Sequence, residues 1–575
     1  MYTFKSFLVM LALIGLSIGA QAQTHPALGG GTGTSADPYR IKTPAHLKQL
    51  ADYVNAANEI SIPSGVYYIL INDLDLTDYA TGEGWNPIGY YTSGTDYSYF
   101  RGNFNGNGKK ITNLKINRPT ASFQGLFGDI YGAVIENLGI ENCDIAAKGV
   151  VGGLAGYSES NTSITNCYVT GKVSGTSNSV GGLVGYNDYS TIFNCYTVAN
   201  VSGTGTYGTI GGLTGENSSS TISNCYATGN VSGTSNNVGG LVGRSEKSSS
   251  ISNCYATGKV SGSFMVGGLV GQNSSSTISN CYATGNVSGT TDNGDYIGGL
   301  VGDNYYSTFI SDCYATGNVS GRNVVGGLAG ENDYSTIFNC YTTGNVSGRN
   351  NVGGLVGDNL SSTVKNCVAA NDSVVSTANI TTINRICSTP SATFQNNYAL
   401  SSMVVKNSSG DVPITDDLNS NAGMGKNISD FQSMAFYTDI SNWDSAAWDI
   451  INPNGIWKIC DGESLPFLRW QGINCGNDGV VTITATPEIS IYPNPVRDVL
   501  RIECTSEQVN KIEVFDVYGR NVFCRKQKEN FPPFMEGWQP KADGVVLNVS
   551  LLPAGIYLVK LETDKGSVTK KFVKE

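Results

Sequence analysis

The sequence predicts an all-β chain: a parallel β-helix, or solenoid, of ~28-residue repeats with an N-terminal capping helix, followed by a small C-terminal β-sandwich. Three observations predict it. The phrase V/I-G-G-L-x-G occurs eight times, with Leu154, Leu183, Leu213, Leu241, Leu269, Leu300, Leu328 and Leu355 at a period of 27 to 31 residues, and a related G-L-F-G carries Leu126. A second phrase, I-x-N-C, follows each of these eight leucines, with Cys167, Cys195, Cys225, Cys254, Cys281, Cys313, Cys340 and Cys367. Finally, 72 glycines, β-branched residues and Asn/Ser turn formers dominate a chain in which only 14% of residues are charged. Strand-like fragments at a fixed period stack as coils, and glycine is poor in helices, so helical repeats are excluded.

The elements follow in order. Residues 1–22 carry Lys5, an apolar run from Phe7 to Ile18 and Ala20-Gln21-Ala22, the form of a signal peptide that leaves Gln23 as the mature N-terminus. No later segment approaches ~18 consecutive apolar residues, so no membrane-spanning helix is expected, and the lack of a cysteine after the cleavage site argues against a lipid anchor. Residues 23–118 hold the cap and first coils. Thr43 is an N-cap, Pro44 a first helical residue, and Leu47, Leu50, Tyr53 and Val54 have helical apolar spacing. The strands of the first coils are expected at Tyr67 to Ile71 and within FRGNFNGNGKKITNLKIN.

Residues 119–370 form the repeats, ten coils in all, or a rod of about 50 Å at ~4.8 Å per coil. Leu114 and Leu138 stand where later coils place cysteine, which marks a buried apolar slot, because free cysteine packs like a small hydrophobe. Ile and Cys are three apart, so both point inward only if the chain bends between them, and Asn tolerates the left-handed backbone such a bend needs. A column of stacked asparagines at one corner is predicted, with Asp312 and Val364 the departures from the phrase. From the valine of V-S-G to the next glycine phrase the spacing varies, so insertions gather at one corner, the longest at 203–209 and 289–296. Residues 371–479, with Trp443, Trp448, Trp457 and Trp470, read as a closing segment, 480–488 as a linker, and 489–575 as alternating strands with turns at YGR and PAG.

The GGLVG and STISNCYATG phrases resemble GLUG motifs over about residues 119–370. That resemblance implies a surface-exposed β-solenoid of the kind found in bacterial surface proteins, including adhesins and the non-catalytic parts of IgA-specific metallopeptidases. The opening GTGTSADPYRIKTPAHLKQLADYVN, with INDLDL and WNPIG, is similar to what precedes such repeats in Bacteroidetes proteins. Residues 489–575 resemble the type A C-terminal sorting domain of type IX secretion cargo. The carrying residues are Tyr492, Pro493, Asn494 and Pro495, then IEVFDVYGRNV around Gly519, then LPAGIYLVKL with Pro553, Gly555 and Tyr557. The insertion CRKQKENFPPFMEGWQPKADG departs from that pattern. The resemblance implies the type IX secretion and surface-attachment machinery as partner. It also implies a secreted, extracellular or outer-membrane surface-attached protein whose sorting domain is removed as the chain is joined to surface lipopolysaccharide.

Lysine and arginine number 35 against 46 acids, for a net charge of -11, and form no long cluster, which argues against nucleic acid and anionic lipid as partners. The two histidines, His25 and His46, precede the repeats and there is no H-E-x-x-H, so a Ser-His-Asp or Cys-His site within the rod is excluded. No cofactor and no metal are expected: Asp292, Asn293 and Asp295 offer oxygen ligands for Ca²⁺, but acidic loop tips are ordinarily just solvated. The repeat cysteines are read as a reduced, buried ladder, and Cys460 with Cys475 as a disulfide candidate.

Tyr168, Tyr196, Tyr226, Tyr255, Tyr282, Tyr314 and Tyr341 follow the cysteines and so point outward, about 5 Å apart. They are either a platform for sugar rings or a stack that merely stabilises the sheet. Acids such as Asp188, Glu216, Asp303 and Asp333 follow the glycine phrase at an expected turn, where they serve solvation. Two D-S-small-apolar triplets, around Ser373 and Ser445, resemble the O-glycosylation pattern of this bacterial group. The chain is read as a non-enzymatic adhesin for glycans or host or matrix proteins. A carbohydrate-active β-helix enzyme and a purely structural surface protein are the alternatives.

Overall fold

The computed structural model describes residues 25–56, 64–94, 96–205, 208–234, 236–290, 295–443, 448–475, 489–492, 494–504, 509–516, 521–526, 545–550, 552–553, 555–563 and 566–575. The chain forms two compact units, Met1–Gln471 and Gly472–Glu575. In the first, short strands pair in parallel with their counterparts one coil away. One ladder begins at Tyr39–Ile41 on Tyr67–Leu70 and runs in register, Ile192 on Ile222 on Ile251 on Ile278, to Thr363–Lys365 on Thr393–Gln395. The solenoid has about 13 coils rather than ten, because Tyr39–Ile41 already forms a rung and the ladder continues past Cys367 to Val404–Asn407 and Met424–Lys426.

The periodic residues fill the interior. The Ile, Leu, Cys and Val columns, as in Ile251, Leu241, Cys254 and Val260, are buried along the rod. The glycines of the repeated phrase are required by space, since none of them has a positive φ. A Cβ on Gly240 would lie 2.0 Å from the Gly268 carbonyl oxygen, and one on Gly243 2.5 Å from the Ile210 nitrogen. Only glycine lets neighbouring backbones approach this closely where the chain passes from the large sheet into a second sheet of nine strands.

The asparagine corner forms as expected. Asn166, Asn194, Asn224, Asn253, Asn280, Asn339 and Asn366 have φ between 52° and 55°, and Asp312 has φ 53°. Their amides stack, Asn194 donating to Asn166 at 2.6 Å and Asn166 to Asn137 at 3.0 Å. The ladder cysteines are free and buried. They are more than hydrophobic filler, however. The N–H of Cys225 donates to the sulfur of Cys254 at 3.4 Å, that of Cys254 to Cys281 at 3.4 Å, and the Cys225 thiol donates to the Ser223 carbonyl at 3.1 Å. The left-handed asparagine turns the next N–H along the rod axis, and sulfur receives it. After the last cysteine an amide oxygen takes over, Asn397 Oδ1 accepting from the Cys367 N–H at 3.1 Å.

An unexpected second asparagine ladder lies inside the nine-stranded sheet. Asn273 donates to Asn304 at 2.9 Å, Asn304 to Asn332 at 2.8 Å and Asn332 to Asn359 at 2.7 Å, all fully buried. The oxygens of Asn304, Asn332 and Asn359 are each satisfied by the amide one coil before, which makes their burial tolerable, whereas Asn273 Oδ1 at the start of the run has no partner among the described residues.

The predicted helix spans Pro44–Asn55, with Thr43 Oγ1 accepting from the His46 N–H and Leu47, Leu50, Ala51, Tyr53 and Val54 buried. His25 packs nearby, its ring 3.8 Å from that of Tyr39 and its Nε2 2.9 Å from the Tyr68 hydroxyl, and burial lowers its pKa. In the second unit, antiparallel sheets of three and four strands enclose Leu500, Ile502, Val514, Val559 and Phe572. Asn494 ties its first turn to the last strand by accepting from the Val573 N–H at 2.8 Å, and the buried Tyr557 donates to the Pro553 carbonyl at 2.9 Å. Gly555 opens the strand Gly555–Thr563 and Pro495 is exposed. Pro493, Gly519, the signal peptide, the 480–488 linker, Asp292, Asn293 and Ser445 lie outside the described residues.

Candidate binding faces

The tyrosines form one continuous stack. From Tyr168 to Tyr341 successive ring centroids are 4.8 to 5.0 Å apart and the planes lie within 8° of parallel. Ring faces are therefore occupied by neighbouring rings, and edges and hydroxyls are what solvent meets. The expectation of seven outward tyrosines needs correction at the C-terminal end, where Tyr314 and Tyr341 are buried. The closing segment folds back over them. Trp457 lies 6.4 and 6.1 Å from their ring centroids, Gln471 donates to the Tyr314 hydroxyl at 2.8 Å, and Trp470 stacks on Tyr255 and Tyr282. Asp312, the departure from the I-x-N-C phrase, accepts from Trp457 Nε1 at 3.1 Å. Tyr168, Tyr196 and Tyr226 remain half-exposed.

A second face, on the nine-stranded sheet, was not anticipated. The residue after the last glycine of V/I-G-G-L-x-G lies within a strand, not at a turn. In register it reads Asp129, Tyr157, Tyr186, Glu216, Arg244, Gln272, Asp303, Glu331 and Asp358. The placement of Glu216 and Asp303 at a turn is thus corrected, whereas Asp188 and Asp333 do end their strands. The stripe is aromatic towards one end, with the Tyr157 and Tyr186 rings 5.1 Å apart, and acidic towards the other.

At the acidic end burial, then the neighbouring carboxylates, push Glu331 up to about 8. Asp303 is pushed up to about 6 by burial and the Asp333 charge, against a hydrogen bond from Gln272 at 2.9 Å that favours its ionised form. Glu331 thus holds a proton at neutral pH next to other carboxyl groups, which suits it to donate a proton. Among the described residues no group of three or more His, Cys, Asp or Glu side chains has the arrangement of a metal site. Asp295 begins the strand Asp295–Gly298 and accepts from Asn323.

An open groove of about 560 Å³ lies beside the middle of this stripe. One wall is the column Val150, Ser179, Thr209, Asn237 and Met265, and the other is Tyr186, Glu216, Arg244 and Gln272. Ser179 donates to Glu216 at 3.2 Å, and Arg244 reaches Glu216 at 4.0 Å and Glu246 at 2.6 Å. Burial and the Glu246 charge raise the Glu216 pKa, and Arg244 opposes them.

Outside these faces, Ser373 is held by Asn345, whose Oδ1 accepts from both its N–H and its hydroxyl at 3.1 Å. Cys460 and Cys475 are disulfide-bonded. No helix among the described residues is long and apolar enough to cross a membrane.

Comparison with known proteins follows the same division. Residues 490–575 match the family described as "Secretion system C-terminal sorting domain", and six segments between 149 and 347 match "The GLUG motif". A "Putative Gly-rich membrane protein" of Evansella cellulosilytica is 40% identical over 103 residues, 18% of this chain and 10% of that protein. Halomucin of Haloquadratum walsbyi is 34% identical over 168 residues, 28% of this chain and 2% of that protein. The chain therefore spans a tenth or less of these curated relatives. Among solved structures, a "putative immunoglobulin A1 protease" from Bacteroides ovatus aligns at 20% identity and TM-score 0.30, covering 77% of this chain and 95% of that one. An "IgA1 Protease" aligns at 22% identity and TM-score 0.34, covering 47% of this chain and 21% of that one. This chain is a secreted or cell-surface protein, a β-solenoid built on GLUG repeats that ends in a secretion-system C-terminal sorting domain.

Proposed function

We propose that the solenoid is an adhesin that binds glycans or host or matrix proteins outside the cell, delivered there by the type IX machinery that reads its sorting domain. The observation that supports this reading is in-register repetition. A given outward position recurs at ~4.8 Å intervals along the rod, so a polymeric or repetitive ligand meets many similar contacts at once, and weak contacts add up to firm attachment. Tyr168, Tyr196 and Tyr226, which the closing segment leaves uncovered, are proposed as part of the contact surface through their edges and hydroxyls.

The test is binding of the purified full-length protein to a combined glycan and extracellular-matrix array. Saturable binding to at least one ligand class is expected, and absence of binding to every class refutes the adhesin reading. A second reading, a polysaccharide lyase or hydrolase, is favoured by the Asp303, Glu331 and Asp358 stripe. Adjacent strands of the ladder are ~4.8 Å apart, a spacing of the same order as the ~5 to 5.5 Å between the two carboxyl groups of retaining glycosidases. Release of soluble oligosaccharides from a polysaccharide panel, abolished by Glu331→Gln, would establish it.

A further inference from the structure

We infer that the groove between Ser179, Thr209 and Asn237 on one side and Tyr186, Glu216 and Arg244 on the other is a binding site for a neutral oligosaccharide lying along the rod axis. This rests on the adhesin reading and gives it a location and a ligand class.

Five observations carry the inference. The groove crosses consecutive coils, from Val150 to Met265, about 19 Å at ~4.8 Å per coil; it is a channel for an extended chain rather than a cup for a compact ligand. One wall holds polar atoms without partners. Thr209 and Asn237 are 6% and 8% exposed, and neither Thr209 Oγ1 nor Asn237 Oδ1 has a hydrogen-bond partner among the described residues. Arg244 Nε is likewise unpartnered. These atoms are shielded from solvent, so a ligand hydroxyl reaches them only as the side chains turn into the groove, and the contact then satisfies atoms that the free protein leaves unpaired.

The charges around the groove cancel. Glu216 and Glu246 face Arg244 and Lys247, with Arg244 reaching both acids and Lys247 paired to Glu246 at 2.9 Å. Arg244 and Lys247 are thus already paired with acids, which disfavours a sulfated or carboxylated glycan, and the acidic continuation at Asp303, Glu331 and Asp358 repels one. Tyr186 lies at the aromatic end of the groove, half-buried beside Tyr157, and supplies an amphipathic surface of the kind that contacts sugar rings. A wall of Ser, Thr and Asn also disfavours an apolar peptide face, which would leave these groups unsatisfied.

The experiment titrates the full-length protein with cellohexaose, xylohexaose, laminarihexaose and N-acetylchitohexaose by calorimetry. Thr209→Val preserves shape and removes the hydroxyl, and Asn237→Met places there the residue that the next coil carries. Asn236→Trp obstructs the rim without entering the core, so the test survives if a wall variant fails to fold. At least one hexaose is expected to bind, with tenfold or greater weakening in each folded groove variant and unchanged affinity in Ile440→Ser, a change at an exposed position of the closing segment. Hexaose binding lost in Tyr196→Ser but kept in the groove variants overturns the groove assignment and leaves the adhesin reading standing. Binding only to matrix proteins or acidic glycans on the array, with no hexaose bound, overturns the neutral-sugar inference alone. No binding to any probe overturns both.

Discussion

At the scale of single residues, the repeat is a set of solutions to the backbone's hydrogen-bonding requirement. A left-handed residue between two inward side chains costs strain for most amino acids, and asparagine meets it while donating its amide to the coil behind. The N–H that follows needs an acceptor inside the core, which explains why the position is cysteine rather than valine. Cys254→Ala should therefore cost more than a lost methyl-sized contact, since it strands the Cys225 N–H, and about 1 to 3 kcal/mol is expected for that group alone. Cys254→Ser keeps an acceptor and should cost measurably less in denaturant unfolding. Equal losses for the two variants would show that packing alone decides the position. Burial pushes the Cys225 and Cys254 thiols well up, so both should resist thiol reagents until the rod is unfolded.

At the scale of elements, what the sequence revealed and what it hid have the same physical origin. Interior columns are constrained by space, so Leu241, Ile251 and Val260 recur in almost every coil and the period is visible by inspection. The outward position that runs Tyr186, Glu216, Arg244, Gln272 carries no such constraint, so it varies freely and disappears from a repeat alignment. The groove wall is hidden for the same reason. The closing segment is invisible to periodicity because Trp457 meets Asp312 across 145 residues, and the only trace of that contact is the acid in place of asparagine. Trp457→Ala should remove about 3 to 5 kcal/mol of stability and increase solvent access to Tyr314 and Tyr341. Limited proteolysis within residues 440–471 and tyrosine emission report the change. An unaltered digestion pattern and midpoint would mean the segment does not hold the ladder.

At the scale of the whole solenoid, the acidic end couples stability to pH. Asp303 and Glu331 keep protons in the folded state at pH values where the unfolded chain has released them, with folded values of about 6 and about 8. Folding therefore takes up protons, so their contribution is greatest at acidic pH and is lost as pH rises towards about 8. The melting temperature should fall between pH 5 and pH 9, and Glu331→Gln should flatten that slope. A Glu331→Gln protein with the same pH dependence as the parent would remove this pair from the account.

The strands lie across the rod axis and the closing segment runs back along it from Trp457, beside Tyr314 and Tyr341, to Trp470, beside Tyr255 and Tyr282. Under tension applied at the ends of the rod, coil-to-coil hydrogen bonds are peeled one rung at a time, and each freed coil pays out about 95 Å of chain at ~3.4 Å per residue. The coils from Tyr255 to Tyr341 are instead strapped in the direction of pull, where several aromatic contacts must shear together. Load would thus unspool the rod first from its unstrapped N-terminal coils, as a shock absorber does, while the strapped coils stay wound.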